Sequence, residues 1–402
     1  MPNTPEVTQG ATLLNSVVRQ ATGQSAIGNL TNLSTFVSTA TTLLALGKDP
    51  VLNALTQVMK PTIFAVRPYD QPLASLAIPA ERWGNIIRKL APVADEMEDD
   101  SAWLWPVAYD ASQNPADGKH ESVDPFAIHK QDALETHFMG SVVYMQHYTT
   151  FENQFDVAFH GPAELTQFFQ MLVTERRNDR ESFEEAKARL LQLNFIGALL
   201  DENKSNRVVH LLTEYNTISG QTLSPTDIMQ QGNFEAFVRW MYAKIRTIVG
   251  QMRARSNKFQ TIITGKTILR HTDANNLRVA IYRPFMEYIS SMVLSNLYNA
   301  DMMRLPTYEA IDYWQSIDTP GTINVTPVYT DTSGSPKTGN AVNNATVIGL
   351  IHDRDALGYA MRDLRMPAPI YNPRGEYWNT YIHGRFTACQ DNTEKAVVLC
   401  LD

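Results

Sequence analysis

Several short strings in this chain carry residue types that perform chemistry in other settings. Gly265-Lys266-Thr267 ends like a phosphate-binding loop, where backbone N–H groups cradle phosphates and the lysine reaches the terminal ones. That pattern needs a glycine five positions before Gly265, and the residue there is Gln260. Lys337-Thr338-Gly339 copies one box of the serine penicillin-binding enzymes, but no Ser-x-x-Lys or Ser-Asp-Asn accompanies it. His120-Glu121 lacks a second histidine at zinc-binding spacing. The tightest group of histidine and carboxylates is His352, Asp353 and Asp355. It falls at an expected strand-to-helix junction, where Asp353 suits a helix cap better than a catalytic role. The two cysteines, Cys389 and Cys400, have no second pair to complete a metal site. They read as reduced packing residues on paired strands. No catalytic, cofactor-binding or metal-binding residues are expected, and no cofactor.

With no chemistry to position, the elements themselves carry the reading. The spine is a long helix expected over 162–200. Pro162 suits a first helical position, since its missing N–H would be unpaired there in any case. Leu165, Phe168, Phe169 and Leu172 form one apolar stripe, and Phe183, Ala186, Leu190, Leu193 and Gly197 resume it at helical spacing. Residues 175–185 between them are mostly charged. Before the helix, prolines at 68, 72, 79 and 92 forbid a long helix. A strand over 86–90, an acidic run, a turn-rich tip over 110–124 and a return strand near 136–149 lay out a long two-stranded excursion. Such ribbons are marginal in water by themselves, so this one is expected to contact a neighbouring subunit. After the spine, residues 205–212 read as a β segment. Ser224-Pro225-Thr226-Asp227 turns into a helix over 233–256, whose apolar stripe runs from Phe234 to Met252. Its other face carries Arg239, Arg246, Arg253 and Arg255, read as solvated. A strand over 277–282, a helix over 284–298, a strand with an exposed loop and turn over 319–344, a strand over 346–351 and a helix over 354–361 follow. The chain closes on an expected hairpin, 377–389 with 396–401, around Gln390-Asp391-Asn392-Thr393.

Composition bounds the function classes. The chain has 402 residues, and 34 Lys plus Arg against 42 Asp plus Glu give a net charge of −8. There is no bulk positive field for gripping nucleic acid. A hydrophobic content of 44% with only 19% charged residues describes an ordered protein with surface to bury between subunits. Residues 1–47 hold only Glu6 and Arg19 as charged groups. Too poor in apolar surface to fold alone, they form an arm. The start of the chain has no basic stretch followed by a continuous apolar run, and a cytoplasmic origin is expected, with export only as part of something larger.

The order of these parts, with the strings LRVAIYRPFMEYISSMVLSNLYNADMMRL at 277–305, VIGLIHDRDALGYAM at 347–361 and NPRGEYWNTYIHGRFTACQDNTEKAVVLCLD at 372–402, resembles the major capsid proteins of tailed bacteriophages with the Hong Kong 97 type shell fold. The resemblance implies an α+β capsid fold: an N-terminal arm over 1–61, an extended loop over 80–150, a peripheral domain from 151–204 plus 371–402 built on the spine helix, and a mixed α/β axial domain over 205–370. It implies a non-enzymatic virion protein that self-assembles into pentamers and hexamers of an icosahedral head, assembled in the host cytoplasm. The implied partners are copies of itself, portal, scaffolding and decoration proteins, and packaged double-stranded DNA held without sequence-specific binding; no membrane is implied. Contacts between subunits are expected from the loop residues Asp95, Glu96, Glu98, Asp99, Asp100, Trp103 and Trp105, and from Arg176, Arg177, Asp179, Arg180, Glu184 and Glu185 on the spine. An encapsulin-type cargo compartment and a cytoplasmic hydrolase or transferase using His352, Asp353 and Asp355 are the alternatives.

Overall fold

The computed structural model describes residues 69–78, 86–93, 132–139, 141–153, 162–265, 268–292 and 308–402. The arm, the acidic run with Trp103 and Trp105, the tip, His120-Glu121, Lys266-Thr267, 293–298 of the expected helix and the side chains of Leu165, Phe168, Phe169 and Leu172 lie outside the described residues. In chain order the elements are β1 (Ile86–Val93), β2 (Asp132–Met139), β3 (Ser141–Phe151), α1 (Pro162–Glu202), β4 (Val208–His210), α2 (Leu211–Ser219), α3 (Pro225–Ile228), α4 (Gln231–Arg253), β5 (Leu277–Tyr282) and α5 (Arg283–Met292). There follow β6 (Glu309–Ile311), β7 (Ile323–Val325), β8 (Val328–Thr330), β9 (Pro336–Thr338), β10 (Val342–Asn344), β11 (Val347–Asp353), a 3-10 turn Arg354–Ala356, β12 (Leu357–Arg365), β13 (Ile370–Asn372), β14 (Tyr377–Gln390) and β15 (Ala396–Cys400).

The chain divides into two compact units, and α1 contributes its residues through Asn194 to the first and those from Phe195 to the second. The first unit holds a sheet centred on β14, a strand of 14 residues. β3 pairs with it antiparallel from Phe151 opposite Tyr377 to Ser141 opposite Thr387. On its other edge β13 and β12 pair in succession. Alternate β14 residues Trp378, Thr380, Ile382 and Phe386 are buried, the period-two pattern of a sheet with one covered face. That face meets α1: the Tyr144 and Phe183 rings lie 5.5 Å apart.

The second unit is built on a five-stranded sheet in the order β4-β15-β11-β5-β6. β11 and β15 are buried along their whole lengths, as unbroken apolar runs covered on both faces require. Against the sheet packs α4, whose Phe234, Phe237, Met241, Ile245, Ile248 and Met252 are at most 2% exposed. Each such side chain contributes about 1.5–3 kcal/mol by leaving water. Arg239, Arg246, Arg253 and Arg255 are exposed on the opposite side. Ser224 and Asp227 form a reciprocal capping box that starts α3, and Gly220, with φ of 70°, ends α2 in the left-handed conformation that favours glycine.

Three expectations are corrected. The closing strands do not form a hairpin: β14 lies in the first unit's sheet, while β15 pairs antiparallel with β11 and parallel with β4. Cys389 and Cys400 are therefore on separate sheets and share no disulfide, and burial pushes the Cys400 thiol up to about 12. The helix expected over 354–361 is a single 3-10 turn followed by strand, because Leu357–Arg365 finds a partner in β14. The β segment over 205–212 is only β4, and Leu211 and Leu212 open a helix that buries them. On α1 the buried face also differs: Leu190 is exposed, and Glu185, Ala188, Arg189, Gln192 and Phe195 are buried, since paired polar groups share that stripe with apolar ones.

Candidate assembly surface

The charged middle of α1 lies in the first unit against residues 69–71 and β3. Arg177 Nη2 is 3.0 Å from Asp70 Oδ1, and Asn178 Oδ1 accepts from the Tyr69 backbone N–H at 3.1 Å. Gln71 Nε2 donates to Glu184 Oε2 at 3.0 Å, and Arg180 Nε lies 2.9 Å from Glu184 Oε1. The next residue, Glu185, is buried, held by Arg189 at 2.6 Å and by the Tyr69 hydroxyl. Gln146 of β3 donates to the Arg176 carbonyl at 3.2 Å and reaches Asp179 Oδ2 at 3.4 Å. These six spine residues were expected at a contact between subunits. Glu185 is buried with partners in its own chain, and Glu184 is half-buried with two such partners. Asp179 is exposed, and Arg176, Arg177 and Arg180 are half-buried.

Beside them, Tyr144, Met145, Gln146, Arg176, Asp179 and Phe183 are among the residues lining a groove of about 150 Å³. Gly384, opposite Tyr144 on β14, leaves room for the Tyr144 ring, from which a Cβ there would lie only 2.0 Å away. Burial pushes the Tyr359 hydroxyl, on the same buried side, up to about 12.

A second cluster, in the second unit, fixes the root of the β1–β2 ribbon. Lys89 Nζ on β1 is 2.8 Å from Asp391 Oδ2 and 2.5 Å from Glu394 Oε1. Arg270 pairs with Glu394 and donates from Nη2 to Thr393 Oγ1 at 2.9 Å. Burial alone would lower Lys89, but the two carboxylates outweigh it and hold the ammonium above its ordinary value. Asp391 is kept below the usual carboxylate range, because Lys89 and Thr393 overcome the burial that would raise it. Burial dominates at Glu394, which stays above its ordinary value despite Lys89 and Arg270. Sequence reasoning read residues 390–393 as the turn of a hairpin. Its only signal of anything else was the density of Asp, Asn, Thr, Glu and Lys in one short string, which is equally typical of a turn.

The catalytic-looking group resolves into packing. His352 is buried, its Nδ1 2.7 Å from the Asp353 carbonyl oxygen, and burial pushes its pKa down to about 4. Asp353 Oδ1 accepts from the Asp355 backbone N–H at 3.0 Å, closing the 3-10 turn. Among the described residues no cluster of three or more His, Cys, Asp and Glu side chains is placed to hold a metal ion.

The arrangement is a set of interlocked strands, an anchored ribbon and a half-exposed charged helix, which suits contact between large surfaces. The sequence model of the Phi29-like phage major capsid proteins matches residues 15–399. This chain belongs to that family. It is a major capsid protein, a structural component of the virion that assembles with copies of itself, and not an enzyme. Of solved structures, the capsid of Staphylococcus phage Andhra is similar with a TM-score of 0.54 at 10% identity, over 85% of this chain and 87% of that one. A structure of native bacteriophage P68 gives 0.49 at 10% identity, over 85% and 88%. The likeness to the Andhra capsid shows the α+β capsid fold. No curated protein sequence matches the chain. The family favours the phage shell over the cargo compartment and over the hydrolase or transferase. Among the described residues no helix of the capsid protein is long and apolar enough to cross a membrane.

Proposed function

We propose that copies of this capsid protein gather into pentamers and hexamers that close an icosahedral head around double-stranded DNA, without sequence-specific binding to it. The match of a phage major capsid family across 15–399 carries the reading. Residues 151–204 plus 371–402 are assigned to a peripheral domain and residues 205–370 to an axial domain. Residues 80–150, which include the ribbon β1–β2, correspond to the extended loop, and residues 1–61 to the arm. Assembly takes place in the host cytoplasm, with portal, scaffolding and decoration proteins as further partners. Contacts between subunits are assigned to Asp95, Glu96, Glu98, Asp99, Asp100, Trp103 and Trp105 of the loop and to Arg176, Arg177, Asp179, Arg180, Glu184 and Glu185 of α1.

In this account the loop links neighbouring copies and is dispensable for folding, because its root is fixed separately by Lys89, Asp391 and Glu394. Deleting residues 96–123 leaves a subunit with unchanged circular dichroism that builds no shells by sedimentation. Normal shells from the deletion variant would remove the loop from the assembly mechanism.

A further inference from the structure

One face of α4 is cationic and bare. From Ala236 to Lys258 the sequence carries six lysines and arginines and no carboxylate, although the whole chain has a net charge of −8. Arg239, Arg246 and Arg253 recur every seven residues, and the small residues Ala236, Ala243 and Gly250 recur in step with them. Seven residues are two helical turns less about 20°, so both sets run together along the side of α4 away from the core, and all six residues are exposed. The arginine row spans about 21 Å at about 1.5 Å per residue. Arg239 pairs with Glu235 at 2.6 Å, and an exposed pair of this kind is held only weakly. Arg246, Arg253 and Arg255, the last just beyond the helix, have no side-chain hydrogen bond or ion pair among the described residues. A Cβ on Gly250 would meet nothing within 4 Å, so the face is open between the arginines. None of the large apolar side chains exposed among the described residues lies on α4.

We infer that this face holds the phosphate backbone of duplex DNA, and that α4 therefore looks into the head. A protein partner needs an apolar centre from which charge is largely absent, whereas this face is charged along its length and has no apolar side chain larger than alanine. A phosphate backbone asks for the reverse: arginines that reach out from a surface low enough to be approached, with no base to be read. Over about 21 Å a duplex presents about 12 charges, at one per about 1.7 Å, so every arginine of the row can find a phosphate. The acidic excess of the chain does not cancel the patch, because at physiological salt charges are screened beyond about 8 Å. With about four phosphates neutralised, by Arg239, Arg246, Arg253 and Arg255, the hold is weak and reversed by salt. Such a hold lets packed DNA slide along the wall. The inference rests on the reading that the shell encloses DNA, and it names the surface that the DNA touches.

Two measurements on the full chain test it. Dissociated wild-type subunits are titrated with a short fluorescent DNA duplex between about 50 and 200 mM salt. The expected slope of log affinity against log salt is about −3.6, for about four phosphates at about −0.9 each, which is roughly a 150-fold loss over that range. Arg246→Gln, Arg253→Gln and Arg255→Gln together bring the slope to about −0.9 with unchanged circular dichroism, and lysine at the same three positions restores it. Equal slopes for wild type and the glutamine variant overturn the inference. The second measurement asks where the face points. Ala243→Cys, in a Cys389→Ala background, is treated with a polymer-linked maleimide too large to pass the wall of a closed shell. The new cysteine is expected to react in dissociated subunits and to be protected in shells. Reaction in shells at the rate seen in subunits puts the face outside and overturns the inference. A glutamine variant that keeps the wild-type slope and no longer closes shells assigns the face to a protein partner and equally overturns it. Wild-type protein that closes no shell defeats the shell reading itself, and the salt slope of its subunits still decides the face. If the glutamine variant misfolds, protection of the cysteine decides.

Discussion

Replacing Lys89 by methionine tests how firmly the ribbon root is held. The substitution keeps most of the apolar stem and removes the ammonium that faces Asp391 at 2.8 Å and Glu394 at 2.5 Å. Both carboxylates are nearly inaccessible, Asp391 at 3% and Glu394 at 5% exposure, so water cannot replace the lost partner. Removing one member of a buried ion pair costs about 3–5 kcal/mol. Arg270 still pairs with Glu394 and Thr393 still donates to Asp391, which places the expected cost at the lower end, about 3 kcal/mol. With a urea slope of about 3 kcal/mol per molar for a chain of this size, the unfolding midpoint of dissociated subunits falls by about 1 M at pH 7. The pH dependence follows from the shifts. Lys89 is raised, so its contribution is complete below the ordinary lysine value of 10.5 and is lost as pH rises through its higher folded value. Asp391 is lowered, so its contribution is present above 3.8 and is lost as pH falls through its lower folded value. The gap between wild type and Lys89→Met therefore stays constant across neutral pH and narrows at both extremes. Asp391→Asn combined with Lys89→Met costs less than the sum of the two by about 1–3 kcal/mol. A Lys89→Met protein within about 0.5 kcal/mol of wild type, or strictly additive costs, would refute the claim that this cluster is a desolvated anchor.

His352 and Gly197 give further outcomes. The buried imidazole is pushed from 6.5 down to about 4, so the folded state binds fewer protons than the unfolded one between those values. Stability then drops by about 3 kcal/mol as pH falls through that window, and His352→Gln flattens the profile; identical pH profiles for the two proteins would show that His352 does not titrate in this way. Gly197 lies inside α1, where alanine is favoured by about 1 kcal/mol on helix propensity. A Cβ there meets Val325 Cγ1 at 2.6 Å and Pro327 Cβ at 3.3 Å. Gly197→Ala is nonetheless expected to destabilise by about 1–3 kcal/mol, and a raised melting temperature would contradict the packing.

Much of the fold was legible because its signals are local. Pro162 opens α1, the stripe from Phe234 to Met252 marks α4, and Val347-Ile348-Gly349-Leu350-Ile351 is a buried strand by composition alone. The errors arise where a distant partner decides. Nothing near Ala396 says that its strand will pair with Val347–Asp353 and Val208–His210, so the adjacent β14 looked like its mate. Val208-Val209-His210-Leu211-Leu212 reads as one apolar run, but only three of its residues find a strand neighbour, and the leucines turn into α2. At the candidate site, Glu184 and Glu185 look alike in the sequence as surface charges. Arg189 is the local part of what buries Glu185, and Tyr69, far away in the chain, is the rest.

Electron microscopy of the purified capsid protein, expressed alone and with a scaffolding protein of the same phage, tests the central claim most directly. The account predicts closed, icosahedrally ordered shells built of pentamers and hexamers. A protein that stays a monomer or small oligomer under every assembly condition would contradict it.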